Sequence, residues 1–327
     1  MSACKWLLLG LLVMACSPGF EEPWDVKDLR ILGAQLDPPE HVYSFTFDDQ
    51  GMPQIDPASL LLPPITLNLL VANPEDPTVP FAYHVEGCLL DGALDCTEEL
   101  RTLFGEGEAV PGELSVEFTL PLELVKKSFE QDPFLGLYGA SVWIAGTVAV
   151  GDISIPFLKS FALVPDYGQG RVANTNPVVT GIWAGEEDEE EPLELDEAGA
   201  FRPIAEEKTR LLPVFPEDVR ETYIVKAANL STFEFSEDTT IEAVWSQAYD
   251  KELTEELTLS YFTTCGSLSD STKTEALSLA FETEEDQEDK ELGTEYTAPK
   301  SGSCNIWMVA NDGRGGVGWY ELPVVVK

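Results

Sequence analysis

Residues 114–120 read Leu-Ser-Val-Glu-Phe-Thr-Leu, with apolar and polar side chains in strict alternation. Successive side chains of a β-strand point to opposite faces, so this pattern predicts a strand with one buried face. The alternation recurs at Ile65, Leu67, Leu69 and Val71. Helical periodicity is weak outside residues 122–131, where one or two amphipathic turns are expected.

Two hairpins are predicted from turn residues placed between such segments. Gly151-Asp152 separates residues 141–150 from residues 153–164, and Asp312-Gly313 is a preferred two-residue hairpin turn. Further strands are predicted where apolar residues share one parity. These residues are Leu257, Leu259, Tyr261 and Cys265, then Leu277, Leu279 and Phe281, then Cys304, Ile306 and Met308. Many short strands separated by turns favour an all-β chain built from sandwiches.

The length of 327 residues predicts about two domains. Turn-forming residues collect at 166–177, which we interpret as a linker. The predicted organisation is a signal peptide at 1–15, a lipidated tether at 16–25, a first β domain at 26–165, and a second β domain with acidic insertions at 178–327.

The first seventeen residues have the form of an export signal. Lys5 precedes a short apolar run that ends in Ala15, Cys16 and Ser17, and this run is too short to span a bilayer. With Val13 three positions before the cysteine, the segment resembles a bacterial lipoprotein signal. The resemblance implies that Cys16 becomes the first residue and carries acyl chains such as palmitate, and that Ser17 directs the protein to the outer membrane. A plain cleaved signal with an incidental cysteine is the alternative.

Four cysteines remain after Cys4 and Cys16 are set aside, and they fall into two pairs that are local in sequence. We predict disulfides between Cys88 and Cys96 and between Cys265 and Cys304, as suits an oxidising compartment. Free thiols are the main alternative. A metal site shared by the four cysteines is disfavoured, because the sequence has no Cys-x-x-Cys motif.

The formal net charge of −40 excludes some classes of partner. Such a chain repels nucleic-acid phosphates and anionic lipid head groups. Its acidic runs at 186–191 and 282–291 are interpreted as solvated loops. Weak calcium binding is the alternative interpretation, although neither run has the spacing of a calcium loop.

The C-terminal residues also resemble a known family. Thr297-Ala298-Pro299, the strand at 304–310 and the segment Asn311-Asp312-Gly313-Arg314-Gly315-Gly316 look like the end of a PKD or immunoglobulin-like domain. The first domain, with Asp37-Pro38-Pro39-Glu40, is similar to its partner module in predicted bacterial surface lipoproteins with tandem immunoglobulin-like domains. These matched residues lie in turns and strand edges, so the resemblance implies a fold and no activity.

Catalytic motifs are absent from the sequence. His41 and His84 are the two histidines, and both are interpreted as surface or packing residues. We therefore expect a non-catalytic protein of the cell envelope, without cofactor or metal, held to the membrane by lipid and binding an envelope protein or a polysaccharide. The alternatives are a carbohydrate-binding or calcium-dependent adhesion module, followed by an envelope hydrolase. Exposed coplanar tryptophans would favour sugar binding.

Overall fold

The computed structural model describes residues 22–50, 52–55, 57–90, 96–97, 100–132, 136–166, 170–185, 191–227, 248–274 and 292–326. Its architecture is all-β, in agreement with the sequence prediction. Ten strands form the N-terminal half: β1 (Arg30–Asp37), β2 (Glu40–Tyr43), β3 (Phe45–Phe47), β4 (Pro53–Ile55), β5 (Ile65–Ala72), β6 (Phe81–Cys88), β7 (Thr102–Ala109), β8 (Gly112–Phe118), β9 (Ala140–Val150) and β10 (Ile153–Pro165).

The N-terminal strands form a two-layer sandwich. One sheet has the order β1-β5-β8 and the other β2-β10-β9-β6-β7, while β3 and β4 pair with each other. The alternating side chains of the two sheets meet in one core, in which Leu67, Phe81, Val142 and Phe161 are each fully buried. The predicted helical turns form helix α1 (Leu122–Gln131), which buries Leu124, Val125 and Phe129.

The described residues of the C-terminal half form eleven strands: β11 (Gly181–Ala184), β12 (Glu191–Pro192), β13 (Lys208–Val214), β14 (Thr222–Ala227), β15 (Tyr249–Thr254), β16 (Thr258–Thr263), β17 (Ser267–Leu268), β18 (Thr272–Thr274), β19 (Thr294–Thr297), β20 (Gly302–Asn311) and β21 (Val317–Val326). The sheets β12-β11-β13-β19-β17 and β18-β16-β20-β21 enclose a second core, and β14 pairs with β15 as a separate hairpin. Tyr261 and Tyr296 are fully buried in this core.

The two sandwiches pack against each other through the outer faces of two sheets. In β20 the five residues at 306–310 are all buried, so both faces of the strand are covered. Ile306 and Met308 face the C-terminal core, whereas Trp307 and Val309 join a third apolar cluster that also contains Leu70 of β5. We call this third cluster the interdomain cluster. A strand that is covered on both faces belongs to the interior of a layered structure rather than to its surface.

The close approach of the two sheets depends on a glycine. A Cβ atom at Gly33 of β1 would lie 3.1 Å from the ring of Trp319 on β21. Leu32 is buried in the interdomain cluster beside it. A side chain at position 33 would therefore require the ring of Trp319 to shift by a few tenths of an ångström.

One predicted turn is confirmed and the other is wrong. Val150 pairs with Ile153 across Gly151-Asp152, as predicted. Asn311 pairs with Val317, so residues 312–316 form a five-residue loop rather than a two-residue turn at Asp312-Gly313. The loop is longer because Asp312 folds back onto it through its side chain. The strand predicted at Leu277, Leu279 and Phe281 and the acidic run at 282–291 lie outside the described residues, as does most of the run at 186–191.

Both predicted disulfides are present. Cys88 bonds to Cys96 over a sequence separation of 8 residues, and Cys265 bonds to Cys304 over a separation of 39. Cys304 also packs against the C-terminal core. The longer of the two loops has more conformational entropy in the unfolded chain, so its bridge restricts the unfolded chain more.

We predict that the double substitution Cys265→Ser/Cys304→Ser destabilises the protein more than Cys88→Ser/Cys96→Ser does. In the loop-entropy model the difference in the free energy of unfolding is about 1.4 kcal/mol. Chemical denaturation of both variants and of the wild type measures it. A larger loss from the Cys88/Cys96 variant would contradict the entropic account.

Candidate functional site at the junction of the sandwiches

The loop between β20 and β21 is held in shape by its first residue. The carboxylate Oδ1 of Asp312 accepts hydrogen bonds from the backbone N–H of Arg314 at 2.7 Å and of Gly316 at 2.9 Å. Gly313, at φ 77°, takes the left-handed conformation that the loop requires. The loop thereby presents the side chain of Arg314 inward, where only 6% of it is exposed.

Arg314 binds three carboxylates contributed by both sandwiches. Its Nη2 lies 2.7 Å from Glu40 at the start of β2, and its Nη1 lies 2.8 Å from Glu255 and 3.1 Å from Glu221. Glu40 and Glu255 are almost completely buried, with side chains 2% and 1% exposed. We call Arg314 and these three glutamates the clasp. Because Glu40 is in the N-terminal sandwich and the others are in the C-terminal half, the clasp joins the two.

The segment that connects the sandwiches is bound into the clasp. Arg171 lies 3.4 Å from Glu40, and the backbone N–H of Asn174 donates to the same carboxylate at 2.8 Å. The side-chain amide of Asn174 donates to Asp312 at 2.9 Å. Neutral and charged donors thus surround the buried Glu40, as burial of a carboxylate requires. The predicted linker is therefore packed into the junction at these positions.

Burial and neighbouring charges shift the pKa values of two clasp residues, Arg314 and Glu255. Burial by itself would lower the pKa of Arg314, but the charges of Glu40 and Glu255 outweigh burial and raise it. Burial raises the pKa of Glu255, and the backbone N–H of Glu221 and the charge of Arg314 only partly offset that effect. The guanidinium of Arg314 also lies 4.3 Å from the ring centroid of Tyr223, within the range of a cation–π contact.

A second contact crosses the junction next to the clasp. The ammonium group of Lys159 on β10 donates to the carbonyl oxygen of Gly315 at 2.8 Å. Burial lowers the pKa of Lys159, and the charge of Asp312 partly offsets this. Residues of both sandwiches therefore contact the loop at 312–316.

The two histidines have different partners. His41 Nε2 lies 2.6 Å from the carbonyl oxygen of Ser59. His84 lies on β6 with its ring nitrogens 3.6 Å from Glu86 and 3.7 Å from Glu106. His41 thus contacts a backbone carbonyl, and His84 contacts two carboxylates.

The remaining sites that the sequence suggests, as predictions or alternatives, are a metal site, a face of exposed tryptophans and the lipidation site. Within the described ranges no group of three or more His, Cys, Asp or Glu residues is arranged to hold a metal ion. Among the described tryptophans Trp183 is 40% exposed, whereas Trp307 is 6% exposed. Cys16 and the signal segment lie outside the described residues. No helix in the part of the chain that the structure describes is long and apolar enough to cross a membrane.

Comparisons with known proteins show only a distant structural likeness. No protein-family model and no curated protein matches the chain. Red sea bream transglutaminase aligns with 92% of this chain at 7% identity and a TM-score of 0.25, and the chain spans about a third of its length (32%). The fibronectin(III)-like modules of Clostridium thermocellum CbhA align with 90% of this chain and 94% of their own, at 10% identity and a TM-score of 0.19.

The tandem V-type regions of VCBP3, a v-region-containing chitin binding protein, give a similar result. They align with 91% of this chain and 98% of their own, at 9% identity and a TM-score of 0.23. At these TM-scores the likeness supports no inference about activity or partners. Any function must therefore be argued from the junction itself.

We predict that Arg314→Met lowers the free energy of unfolding by about 3–5 kcal/mol, because it leaves the buried carboxylate of Glu255 without a cation and that of Glu40 with Arg171 alone. Chemical denaturation measures the change. The matched control is Lys208→Met, which removes an exposed partner of Glu295 at 2.6 Å and should cost less than about 1 kcal/mol. Equal losses in the two variants would show that the clasp contributes no more than a surface ion pair.

The raised pKa of Glu255 predicts that the free energy of unfolding depends on pH. A carboxyl with a higher pKa in the folded state binds its proton more readily there than in the unfolded chain, so its contribution to stability rises as the pH falls through the folded pKa. The rise ends below the unfolded value of about 4.5. We expect the stability of the wild type relative to Glu255→Gln to increase from pH 7 toward pH 4.5. A difference that stays flat or falls across this window would contradict the prediction.

Proposed function

We propose that this chain is a non-catalytic, lipid-tethered protein of the bacterial cell envelope, whose two sandwiches act as one rigid body that presents binding surface to other proteins. The observation that carries the proposal is the junction, in which the interdomain cluster and the clasp fix the sandwiches together. Two domains of one chain usually move relative to each other unless the interface between them is large and apolar. A junction that buries both apolar strands and ion pairs suits presentation in a fixed orientation.

The start of the described chain supports a short tether. The backbone N–H of Thr263 donates to the carbonyl oxygen of Trp24 at 2.8 Å, and that of Val26 donates to Thr263 at 2.9 Å. Val26 is buried in the interdomain cluster. The chain is thus fixed from Trp24 onward. If Cys16 carries lipid, the eight steps along the chain from Cys16 to Trp24 reach at most about 28 Å.

The charge of the chain supports an anchor made of lipid. With a net charge of −40, the protein has no electrostatic attraction to anionic head groups. Acyl chains contribute about 0.8 kcal/mol per buried methylene, and two or more chains give durable attachment. Confinement beside the outer membrane then raises the effective concentration of the protein toward partners at the same surface.

We predict that Cys16→Ala releases the protein from the membrane fraction. Intact-mass analysis of the wild type should give a chain that starts at Cys16, carries the added mass of acyl chains and contains two disulfides. The variant should lack the acyl mass. A wild-type chain that starts elsewhere or has an unmodified Cys16 would reject the tether. Separation of inner and outer membranes on a density gradient tests the outer-membrane location, and Ser17→Asp is the matched variant for sorting.

A further inference from the structure

A cleft opens between the sandwiches at the end of the β20–β21 hairpin that is remote from the clasp. Its volume is about 400 Å³, and its walls come from both sandwiches. Leu70, Pro77 and Pro111 contribute to the N-terminal side, and Trp307 and Pro323 to the C-terminal side. The volume lies within the range of ligand sites, and such sites favour boundaries between domains.

One carboxylate stands in this apolar cleft without a basic partner. Glu321 accepts a hydrogen bond from the side-chain amide of Asn305 at 2.8 Å. Glu321 itself is exposed to solvent. In the described part of the chain Glu321 forms no ion pair with a lysine or arginine, whereas Glu40 and Glu255 do. A carboxylate that is held in place by Asn305 and has no cation beside it favours a cationic ligand.

The backbone next to Glu321 lies at an open sheet edge. In β21 the odd-numbered residues direct their backbone groups away from β20: the N–H of Val317 donates to Asn176, and the carbonyl of Pro323 accepts from the N–H of Phe201. The position of Glu321 between them gives its N–H and carbonyl the same direction. No backbone partner of Glu321 on this edge occurs among the described residues. The edge is therefore covered on both sides of Glu321 and open at it.

We propose that the cleft binds a short extended segment of a partner protein, which pairs with the open edge of β21 at Glu321, directs a lysine or arginine side chain to the Glu321 carboxylate and packs apolar side chains on the proline walls. This proposal deepens the function proposed above, on which it rests, by naming the partner's chemistry. Adding a strand to a sheet edge is a common mode of peptide recognition, in which backbone hydrogen bonds give affinity and alternate side chains give specificity.

Three features of the cleft select this ligand over others. The carboxylate of Glu321 and the strongly negative chain repel anions. The apolar walls at Leu70 and Pro323 leave a free inorganic cation without oxygen ligands on those sides. The open N–H and carbonyl at Glu321 match the acceptor and donor that every peptide unit carries.

A random heptapeptide library displayed on phage, panned against the purified full chain in detergent, tests the proposal. The enriched peptides are expected to carry a lysine or arginine flanked by apolar residues. Glu321→Gln removes the charge of the site and should raise the dissociation constant of these peptides about tenfold. Glu321→Lys reverses the charge and should abolish binding. Glu108→Gln, at an exposed position on β7 of the other sandwich, is the matched control and should leave the constant unchanged.

Two further variants separate strand pairing from simple charge attraction. Ser303→Trp adds a large side chain to the cleft wall and should abolish binding. N-methylation of the best peptide should abolish binding at alternate positions and leave it intact at the positions between them, because only every second N–H faces β21. All protein variants must keep the wild-type near-ultraviolet circular dichroism. If Ser303→Trp does not fold, Glu321→Lys still tests whether the peptides bind at this cleft, and the N-methylated peptides test strand pairing.

The proposal is overturned if no peptide is enriched, if acidic or uncharged peptides are enriched, or if the selected peptides bind Ser303→Trp or Glu321→Lys as they bind the wild type. Loss of binding to N-methylated peptides at every position, or at none, would reject pairing with the edge. These outcomes are independent of the tether. An unmodified Cys16 would reject the lipid anchor and leave the peptide results as they stand, since Cys16 is not part of the cleft.

Discussion

The arrangement of the whole molecule depends on apolar side chains on the outer faces of two sheets. In an isolated sandwich these faces would meet water, and the side chains would be polar. Here Leu70 on β5 and Trp307 on β20 lie outside the cores of their own sandwiches, and both are buried in the interdomain cluster. Because the free energy of burial is proportional to apolar area, the cluster acts as a third core between the sandwiches.

The clasp adds direction to this packing. Apolar burial is non-directional, so a cluster of this kind tolerates some sliding of one sheet over the other. Arg314 has donors in a fixed planar fork, and their partners Glu40 and Glu255 come from opposite sides of the junction. A displacement that separated these atoms would leave charges buried without partners, which is costly. Packing therefore holds the sandwiches together, and the clasp selects one orientation.

The sequence predicted what depends on local pattern. Alternation at residues 114–120 identified a strand, and the spacing of Cys265 and Cys304 suggested the bond that joins them. The junction was not predicted, although one signal was present: residues 69–72 and 306–310 are continuous apolar runs, which indicate strands covered on both faces. The clasp left no such signal, because Glu40 and Arg314 are separated by 274 positions and each resembles an ordinary surface charge. The turn at Asp312-Gly313 was mistaken because the carboxylate of Asp312 accepts hydrogen bonds from the N–H groups of Arg314 and Gly316, which the dipeptide alone does not reveal.

The bridge between Asp25 and Thr263 has a consequence for the order in which the protein matures. The first described residues have their hydrogen-bonding partners on β16, which is made more than two hundred positions later. Until that strand has been made and folded, residues 24–26 lack the hydrogen bonds that they have in the complete protein. If Cys16 carries lipid as proposed, completion of the C-terminal sandwich shortens the free segment between that anchor and the folded body.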